Sequence, residues 1–414
     1  MKPRHIFVLI AMCGLAAASI GVTINTAGVF YAPIAEDLAV GRGSVAMMIT
    51  ITAIVAALIA MFVPKMLKES TLKIIIITAT VLLAGSTFLI SMSKSLYLMY
   101  ALSVIRGIGD GLINFVMITM IINYWFFAKR GLFTSIVMAF SGVPGVLLSP
   151  VYTSVINSSG WRSGFVWVAA STLLFCLPAV LLPFTIRPET TQLEPYGYQE
   201  YLKAKEDGKV MAISGSSARF NYLNPKFLLA VIIVIATSIV AAVPQHLPGY
   251  AVSIGRAASV GAMMLSVSMA CNILSKLLFG VMNDRIGSYK TILVMAVLNI
   301  CGILLLLFIA QDWAMYAGSG LFAFTFAISA VGMAMFSGYL FGMEYYASAY
   351  PVLSFIGGIA NAVAASLVGS LYDITGTYTV NFWLALACQI ILILAMLAAV
   401  SIRRNERHTG IEEN

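Results

Sequence analysis

The chain has 414 residues, of which 61% are hydrophobic and only 10% are charged, and its formal net charge is +8. A water-soluble fold of this size needs many more charged groups to cover its surface, so the composition excludes an ordinary soluble protein. The excess of positive charge does not indicate nucleic-acid binding, because it is concentrated in the loops between apolar runs.

Twelve apolar runs, each long enough to cross a bilayer, fill almost the whole chain. We predict membrane-spanning helices at 6–32, 44–64, 72–92, 96–122, 132–157, 163–186, 225–250, 257–282, 289–310, 313–340, 344–371 and 378–402. Most connections are short, so neighbouring helices are expected to be antiparallel.

The basic residues are distributed unequally between the two sides of this pattern. Only Arg42, Lys94, Arg162 and Arg256 fall in the loops of one side, and most of the other Lys and Arg residues fall in the loops of the opposite side. Because basic loops mark the cytoplasmic side, the asymmetry predicts that both termini are cytoplasmic.

One connection, at 187–224, is much longer and more polar than the others. We predict that it is a cytoplasmic linker between a six-helix half at 1–186 and a second half at 225–402, with a cytoplasmic tail at 403–414. Two halves related by an axis along the membrane normal are a common transporter layout. The predicted fold class is therefore an all-α polytopic membrane protein with twelve transmembrane helices in two pseudo-symmetric six-helix halves.

Catalytic and cofactor chemistry is not expected. The five cysteines lie in apolar runs without C-x-x-C spacing, and the three histidines are scattered. The sequence contains no P-loop, no H-E-x-x-H motif and no visible nucleophile–base pair. We expect a protein that is not an enzyme and needs neither metal nor cofactor, so its function must depend on the few polar groups within its spans.

A loop motif links the sequence to a known superfamily. After the eighth predicted span, Gly280, Asp284, Arg285 and Gly287 form a G-x-x-x-D-R-x-G pattern that resembles the signature of the major facilitator superfamily. The resemblance implies that the Asp caps a neighbouring helix and latches one conformation. The equivalent first-half loop, Pro64–Ser70, lacks both the Asp and the glycines, which puts a first-half latch in doubt.

Four further stretches resemble the monocarboxylate transporter and oxalate/formate antiporter group of that superfamily: 28–38, 124–131, 245–250 and 272–280. The resemblance implies alternating-access transport of a small organic anion, a mono- or dicarboxylate. The protein would work as an exchanger or an ion-coupled carrier, with a counter-anion or H⁺ as its coupling partner.

Lys276 lies about two turns before the loop motif, too deep in its span for an ordinary loop charge. In the resembling group a cationic residue at this position binds the substrate carboxylate; the alternative is a lysine that snorkels to the headgroups. Asn272, one turn earlier, stands where proton-coupled members carry an Asp, and it either contacts substrate or joins helices. Because an amide does not titrate, exchange or facilitated transport is favoured over proton symport.

Other polar residues have either a functional or a structural role. Arg106, Asp110 and Asn114 recur every four residues, which predicts a polar stripe with an Arg106–Asp110 pair that ties helices together or, alternatively, lets Asp110 carry protons. Asn25 is expected either to line the cavity or to pack between helices.

Further residues at the ends of the spans complete the set. The candidates are Tyr31 and Tyr250 as substrate contacts or interfacial anchors, His246 as a pH-sensing group or a satisfied polar residue at the outer mouth, and Glu344 as a cap or gate.

Two other functions remain open on the sequence: a proton-coupled exporter of drugs or other amphiphiles, and a transporter-like sensor that does not transport. We expect a monomer in a cell membrane, in contact with lipid and with no nucleic acid. The short termini and the compact central loop are compatible with a bacterial inner membrane.

Overall fold

The computed structural model describes residues 2–127, 130–199, 220–309 and 311–409. Eleven helical segments in these ranges are long and apolar enough to cross a membrane, which confirms a polytopic helical membrane protein. One of them, Leu132–Leu181, covers two predicted spans and is interrupted at Gly160, where φ is 80° and ψ is 165°. The number of crossings and the side of each terminus stay predictions.

The α-helices of the first part of the chain have these bounds: α1 Pro3–Ala16, α2 Gly28–Leu38, α3 Arg42–Ala60, α4 Val63–Met66, α5 Leu72–Met92, α6 Leu96–Ile113, α7 Phe115–Trp125, α8 Arg130–Phe140 and α9 Val143–Leu181. A π-helix, Ala17–Asn25, continues α1, and a 3₁₀ turn, Pro188–Thr191, follows α9.

The α-helices of the second part of the chain are α10 Pro225–Ala242, α11 Leu247–Ser253, α12 Ala258–Ile286, α13 Ser288–Phe308, α14 Asp312–Phe322, α15 Thr325–Ala327, α16 Met333–Thr375 and α17 Thr379–Thr409. A 3₁₀ turn, Val243–His246, precedes α11, and a π-helix, Ile328–Gly332, precedes α16. Helix α16 is interrupted at Gly342, where φ is 70°.

The described residues form two compact units. The first unit comprises those of Met1–Met211 and Gln245–Ala270, and the second comprises those of Ala212–Pro244 and Cys271–Asn414. The division predicted from sequence, with a linker at 187–224, stays a prediction, and residues 200–219 of that linker lie outside the described residues.

In the first unit, α6 packs directly against α3 and α5 because its glycines allow the backbones to approach. A Cβ on Gly107 would come within 2.7 Å of the Thr52 carbonyl oxygen, and one on Gly109 within 2.9 Å of the Ala79 carbonyl oxygen. Any larger residue at these positions would push the helices apart. The glycines thus fix the position of α6, which carries Arg106.

The beginning of the predicted linker packs on the first unit. The Tyr196 amide donates to the Trp125 carbonyl at 2.8 Å, and the Phe127 amide donates to the Tyr196 carbonyl at 2.9 Å. The His5 ring packs edge-on against Trp125, with 5.5 Å between the ring centroids, and is 4% exposed. Residue Tyr196 of the predicted linker is therefore hydrogen-bonded to this unit.

In the second unit, α10 packs against both α16 and α17, and α13 packs against α14 and α17. A buried polar chain joins three of these helices: the Gln389 amide donates to Asn299 Oδ1 at 2.8 Å, and Asn299 Nδ2 donates to the Phe322 carbonyl at 2.5 Å. Phe322 ends α14, so the amide satisfies a carbonyl that the helix leaves free.

Candidate functional site

Two buried charges of α6, Arg106 and Asp110, are held by the first helix. Arg106 is 4% exposed and its Nη2 donates to the Thr23 carbonyl at 3.4 Å. Asp110 is 2% exposed and accepts a hydrogen bond from the Ser19 hydroxyl. The described side chains of Arg106 and Asp110 form no ion pair within 4.0 Å of each other. The expected intrahelical ion pair is therefore wrong, because each charge reaches a partner on the first helix instead.

The π-helix Ala17–Asn25 explains how the first helix reaches both charges. The Thr23 hydroxyl donates to the Ala18 carbonyl five residues earlier, at 3.1 Å, in the wider turn typical of this conformation. The wide turn carries both Ser19 and the Thr23 carbonyl. Nothing in the sequence predicts this π-helix, since an apolar run does not show which carbonyl each amide reaches.

Asn114 does not continue the predicted polar stripe. The chain leaves helical conformation at this residue, with φ −65° and ψ 179°, and its side chain accepts from the Phe115 amide at the start of α7. An amide side chain competes well for such a cap. The stripe expected over three residues thus ends at Asp110, because α6 ends at Ile113.

A small cavity lies beside Arg106 in the first unit. Its volume is about 20 Å³, room for about one water-sized group. Arg106, Thr23, Thr26 and Tyr31 contribute its polar wall, and the rest of the wall is apolar and includes Phe165.

Tyr31 lies close to two residues of the predicted outer mouth. Its hydroxyl donates to Gln245 Oε1 at 3.1 Å, and its ring centroid is 4.9 Å from that of His246. Arg42 Nη1 donates to the Gly249 carbonyl at 3.0 Å. The segment around α11 is therefore hydrogen-bonded to α2 and α3. The contacts of Gln245 and Arg42 were not predicted from the sequence.

Tyr250 and Asn25 are also buried in this unit, at 8% and 6% exposure. Asn25 Nδ2 donates to the Ser141 carbonyl at 2.9 Å, and Asn25 does not belong to the wall of the cavity beside Arg106. Its contact is the kind that joins two helices. A role of either residue in binding substrate stays a prediction.

The second unit contains Asn272 and Lys276 on α12, one helical turn apart. Asn272 is 3% exposed, and Lys276 is partly buried. Among the residues that the structure describes, Lys276 forms no ion pair within 4.0 Å.

The loop after α12 is joined to the next helix by Asn283, whose Oδ1 accepts from the Ser288 hydroxyl at 2.8 Å. Gly287 between them has φ 81°, which favours glycine. Asp284 and Arg285 are exposed. Their role as a latch stays a prediction, and the side chain of Glu344 lies outside the described residues.

The first-half loop, although it lacks the Asp of the motif, has a carboxylate that binds backbone amides. Glu69 Oε2 accepts from the Ile186 amide and Oε1 from the Arg187 amide, each at 2.9 Å, and the Thr190 hydroxyl donates to Oε1 at 3.0 Å. Glu69 thus anchors the chain that leaves α9. This role of Glu69 was not predicted from the sequence, because it requires knowing where residues 186–190 lie.

Outside the spans, Asp37 accepts two hydrogen bonds that stabilise its ionised form. Arg162 donates to Oδ2 at 2.8 Å and Trp161 donates to the same atom at 3.0 Å. These bonds, that from Arg162 first, lower the pKa of the Asp37 carboxyl.

The described helices are apolar and bury a few charged and amide side chains, which is the arrangement of a polytopic membrane protein. The model of the Major Facilitator Superfamily matches residues 11–264, which is more than half of the chain. The chain belongs to the major facilitator superfamily, a family of membrane transporters, and it is not an enzyme.

Relatives agree with the narrower resemblance. The chain is 23% identical to monocarboxylate transporter 12-B of Danio rerio over 370 residues, covering 84% of this chain and 77% of the relative. It is also 23% identical to monocarboxylate transporter 12 of Xenopus laevis over 356 residues, 82% and 77% of the two chains. These matches confirm the resemblance to the monocarboxylate transporter group.

A solved structure supports the fold. The crystal structure of the nucleoside transporter NupG (D323A mutant) superposes with a TM-score of 0.67 over 95% of this chain and 99% of that one. Because the two sequences are only 13% identical, the similarity concerns the fold alone.

Proposed function

We propose that the protein is a secondary transporter that moves a small monocarboxylate across a cell membrane by alternating access. The observation that carries the proposal is Lys276, a cation within an apolar span that has no ion pair among the described residues. A charge in this setting is retained when it binds something that offsets its desolvation. The relatives are named monocarboxylate transporters, which supports a carboxylate as that partner.

The proposed mechanism uses twelve helices in two six-helix halves that rock about a midplane cavity, with both termini in the cytoplasm. Exchange against a second anion fits better than symport with a proton, because Asn272 beside Lys276 does not titrate. One lysine is a point charge and suits a single carboxylate better than a dicarboxylate.

Uptake into proteoliposomes tests the proposal. Labelled formate, lactate and oxalate are offered with and without the same anion inside, to wild-type protein and to Lys276→Ala. We expect accumulation that depends on internal anion and falls at least about tenfold in the variant, since a charged contact is lost.

Lys290→Ala is the matched control, because it removes an exposed lysine from the same unit. It should transport like the wild type. An equal loss of uptake in Lys276→Ala and Lys290→Ala, or no uptake of any carboxylate by folded wild-type protein, would refute the proposal.

A second candidate function is favoured by Asp110, a carboxyl buried to 2% exposure in an apolar helix. In a proton-coupled exporter of amphiphiles this group would carry the proton. Efflux of a lipophilic cation that is driven by a pH gradient, lost in Asp110→Asn and kept in Lys276→Ala would support the exporter instead.

A further inference from the structure

Two arginines near the end of α17 contact tyrosines of neighbouring helices. The guanidinium carbon of Arg403 lies over the ring of Tyr339 on α16, 3.8 Å from its centre. Arg404 Nη2 donates to the hydroxyl of Tyr289 on α13 at 3.1 Å. The centres of the two tyrosine rings are 5.7 Å apart. Three helices of the second unit therefore meet here, and the tyrosines position both guanidinium groups.

The positive charges at this place are not neutralised within the described part of the chain. Neither Arg403 nor Arg404 has an ion pair within 4.0 Å there. Glu406, in the next turn of α17, pairs with Lys226 Nζ at 2.5 Å. Lys290 adds a third cation, exposed in the first turn of α13. We call the surface formed by Lys290, Arg403 and Arg404 the basic patch.

The guanidinium groups of the basic patch are accessible and keep hydrogen-bond donors for a ligand. Arg403 is partly exposed and Arg404 is exposed. Arg403 donates no hydrogen bond to a described residue, and Arg404 donates one, to the Tyr289 hydroxyl. A guanidinium has five N–H donors in one plane, and it can contact a ring face while these donors bind the oxygens of a phosphate.

Exposed apolar side chains continue from the basic patch along two of the helices. On α13, Val294 and Val297 follow Lys290 by four and seven residues and are 39% and 47% exposed. On α17, Leu397 precedes Arg404 by seven residues and is 46% exposed. These intervals put each apolar side chain on the same helix face as the cation. Both helices are candidate membrane spans, so these faces suit contact with acyl chains.

We propose that the basic patch binds the phosphate of an anionic phospholipid, whose acyl chains lie along the apolar faces of α13 and α17. The cations match the charge of the phosphate, and the apolar faces match the chains, which a soluble phosphate ester lacks. The distribution of basic residues predicts that this end of the unit is cytoplasmic, and basic pockets between helices on that side suit anionic headgroups. The proposal does not depend on the transported substrate.

Native mass spectrometry of the purified full-length protein in detergent resolves single bound lipids and tests the proposal. Phosphatidylglycerol is compared with phosphatidylcholine of the same acyl chains, in which the choline group cancels the phosphate charge. We expect the first phosphatidylglycerol to bind at least about tenfold more tightly, because its phosphate forms charge-assisted hydrogen bonds. Glycerol 3-phosphate, which has no acyl chains, should not displace it at equal concentration.

Two double variants separate a defined site from a general attraction between basic loops and anionic lipid. Arg403→Gln with Arg404→Gln removes both guanidinium groups and should abolish the preference for phosphatidylglycerol. Lys65→Gln with Lys68→Gln is the matched control, because it removes two exposed cations from a loop of the first unit that is predicted on the same side. It should keep the preference of the wild type.

The aromatic contact is tested at Tyr339. Tyr339→Leu removes the ring beneath Arg403 without changing the charge, and should reduce the preference about threefold, because the cation–π contact is lost. Tyr339→Phe keeps the ring and should bind like the wild type. The measured quantity is a ratio of two lipid affinities, so a general loss of stability does not imitate these effects.

Four results would contradict the proposal. Equal binding of the two lipids by the wild type, or an unchanged preference in Arg403→Gln with Arg404→Gln, excludes the basic patch as the lipid site. An equal loss in Lys65→Gln with Lys68→Gln means that total charge decides binding. Displacement by glycerol 3-phosphate at equal concentration indicates a soluble phosphate ester as the ligand. An unchanged preference in Tyr339→Leu means that the tyrosine does not position Arg403 for a ligand.

Discussion

At the scale of single residues, the hydroxyl of Ser19 is the described hydrogen-bond donor to the buried carboxyl of Asp110. Removing it leaves a charged or polar oxygen buried without that partner. We expect Ser19→Ala to lower the free energy of unfolding by about 1–2 kcal/mol. Denaturation of the purified protein in mixed micelles measures the loss.

Ser103→Ala is the control for this prediction. Ser103 is equally buried on α6, but its hydroxyl donates only to the Met99 carbonyl of its own helix, at 2.8 Å. Such back-bonding contributes little to stability. If both variants lose the same stability, the Ser19–Asp110 contact has no special role.

The burial of Arg106 and Asp110 could be predicted from their spacing and their apolar surroundings, whereas their partners could not. A four-residue interval puts two side chains on one face of a helix, and both are indeed buried. The same interval suggested that they pair with each other. The π-helix Ala17–Asn25 supplies other partners, and its register depends on packing that one sequence does not display.

At the scale of elements, Glu69 joins the loop before α5 to the chain that follows α9. Its carboxylate accepts from the amides of Ile186 and Arg187. Glu69→Gln leaves one acceptor oxygen and no charge, so one amide loses its partner. We expect amide exchange at 186–187 to become roughly tenfold faster, since about 1.4 kcal/mol of local protection is lost.

Hydrogen–deuterium exchange with mass spectrometry gives the rate at these two amides. The control is Glu189→Gln, which removes a neighbouring exposed charge within the 3₁₀ turn. Unchanged exchange in Glu69→Gln would show that the carboxylate does not hold this segment.

The break within α9 depends on a residue that tolerates positive φ. Gly160 has φ 80° and ψ 165°, and a Cβ there would meet nothing within 4 Å. Gly160→Ala should therefore destabilise the protein by backbone strain alone, by about 1–3 kcal/mol.

Gly85→Ala provides the comparison, because Gly85 lies inside helix α5 and a Cβ there also meets nothing within 4 Å. It should be neutral or stabilising by up to about 1 kcal/mol. Unfolding in mixed micelles measures the stability of both variants. Equal changes in the free energy of unfolding would mean that the break at Gly160 needs no glycine.

The long apolar runs predicted the helices well, but not where they are interrupted. Length and hydropathy locate a span, because the bilayer sets both. The breaks at Asn114 and Gly342 depend on which backbone groups form hydrogen bonds outside the regular helical pattern, and hydropathy carries no information on those bonds.

At the scale of the whole molecule, the loop motif and the four family-like stretches predicted the superfamily, and the match over 11–264 confirms it. The motif predicted the family correctly, but the latch role that it implies for its residues stays a prediction. Asp284 is exposed, whereas Asn283 makes the described contact with the next helix. The first-half loop, which lacks the motif, anchors its neighbour through Glu69.

The coupling of transport to a driving ion is a property of the whole molecule, since it depends on all the titratable groups in the translocation path. Asn272 is a neutral amide, so among the described residues Asp110 is the buried acid that would have to carry a proton if uptake were driven by one. We expect internal carboxylate to stimulate uptake at least about tenfold, and an imposed pH gradient alone to change it less than about twofold, because an exchanger returns only when loaded.

Asp110→Asn should exchange like the wild type. Proteoliposome uptake with each driving force applied separately measures this. Gradient-driven uptake that disappears in Asp110→Asn would mean instead that the protein is a proton symporter whose proton binds on α6.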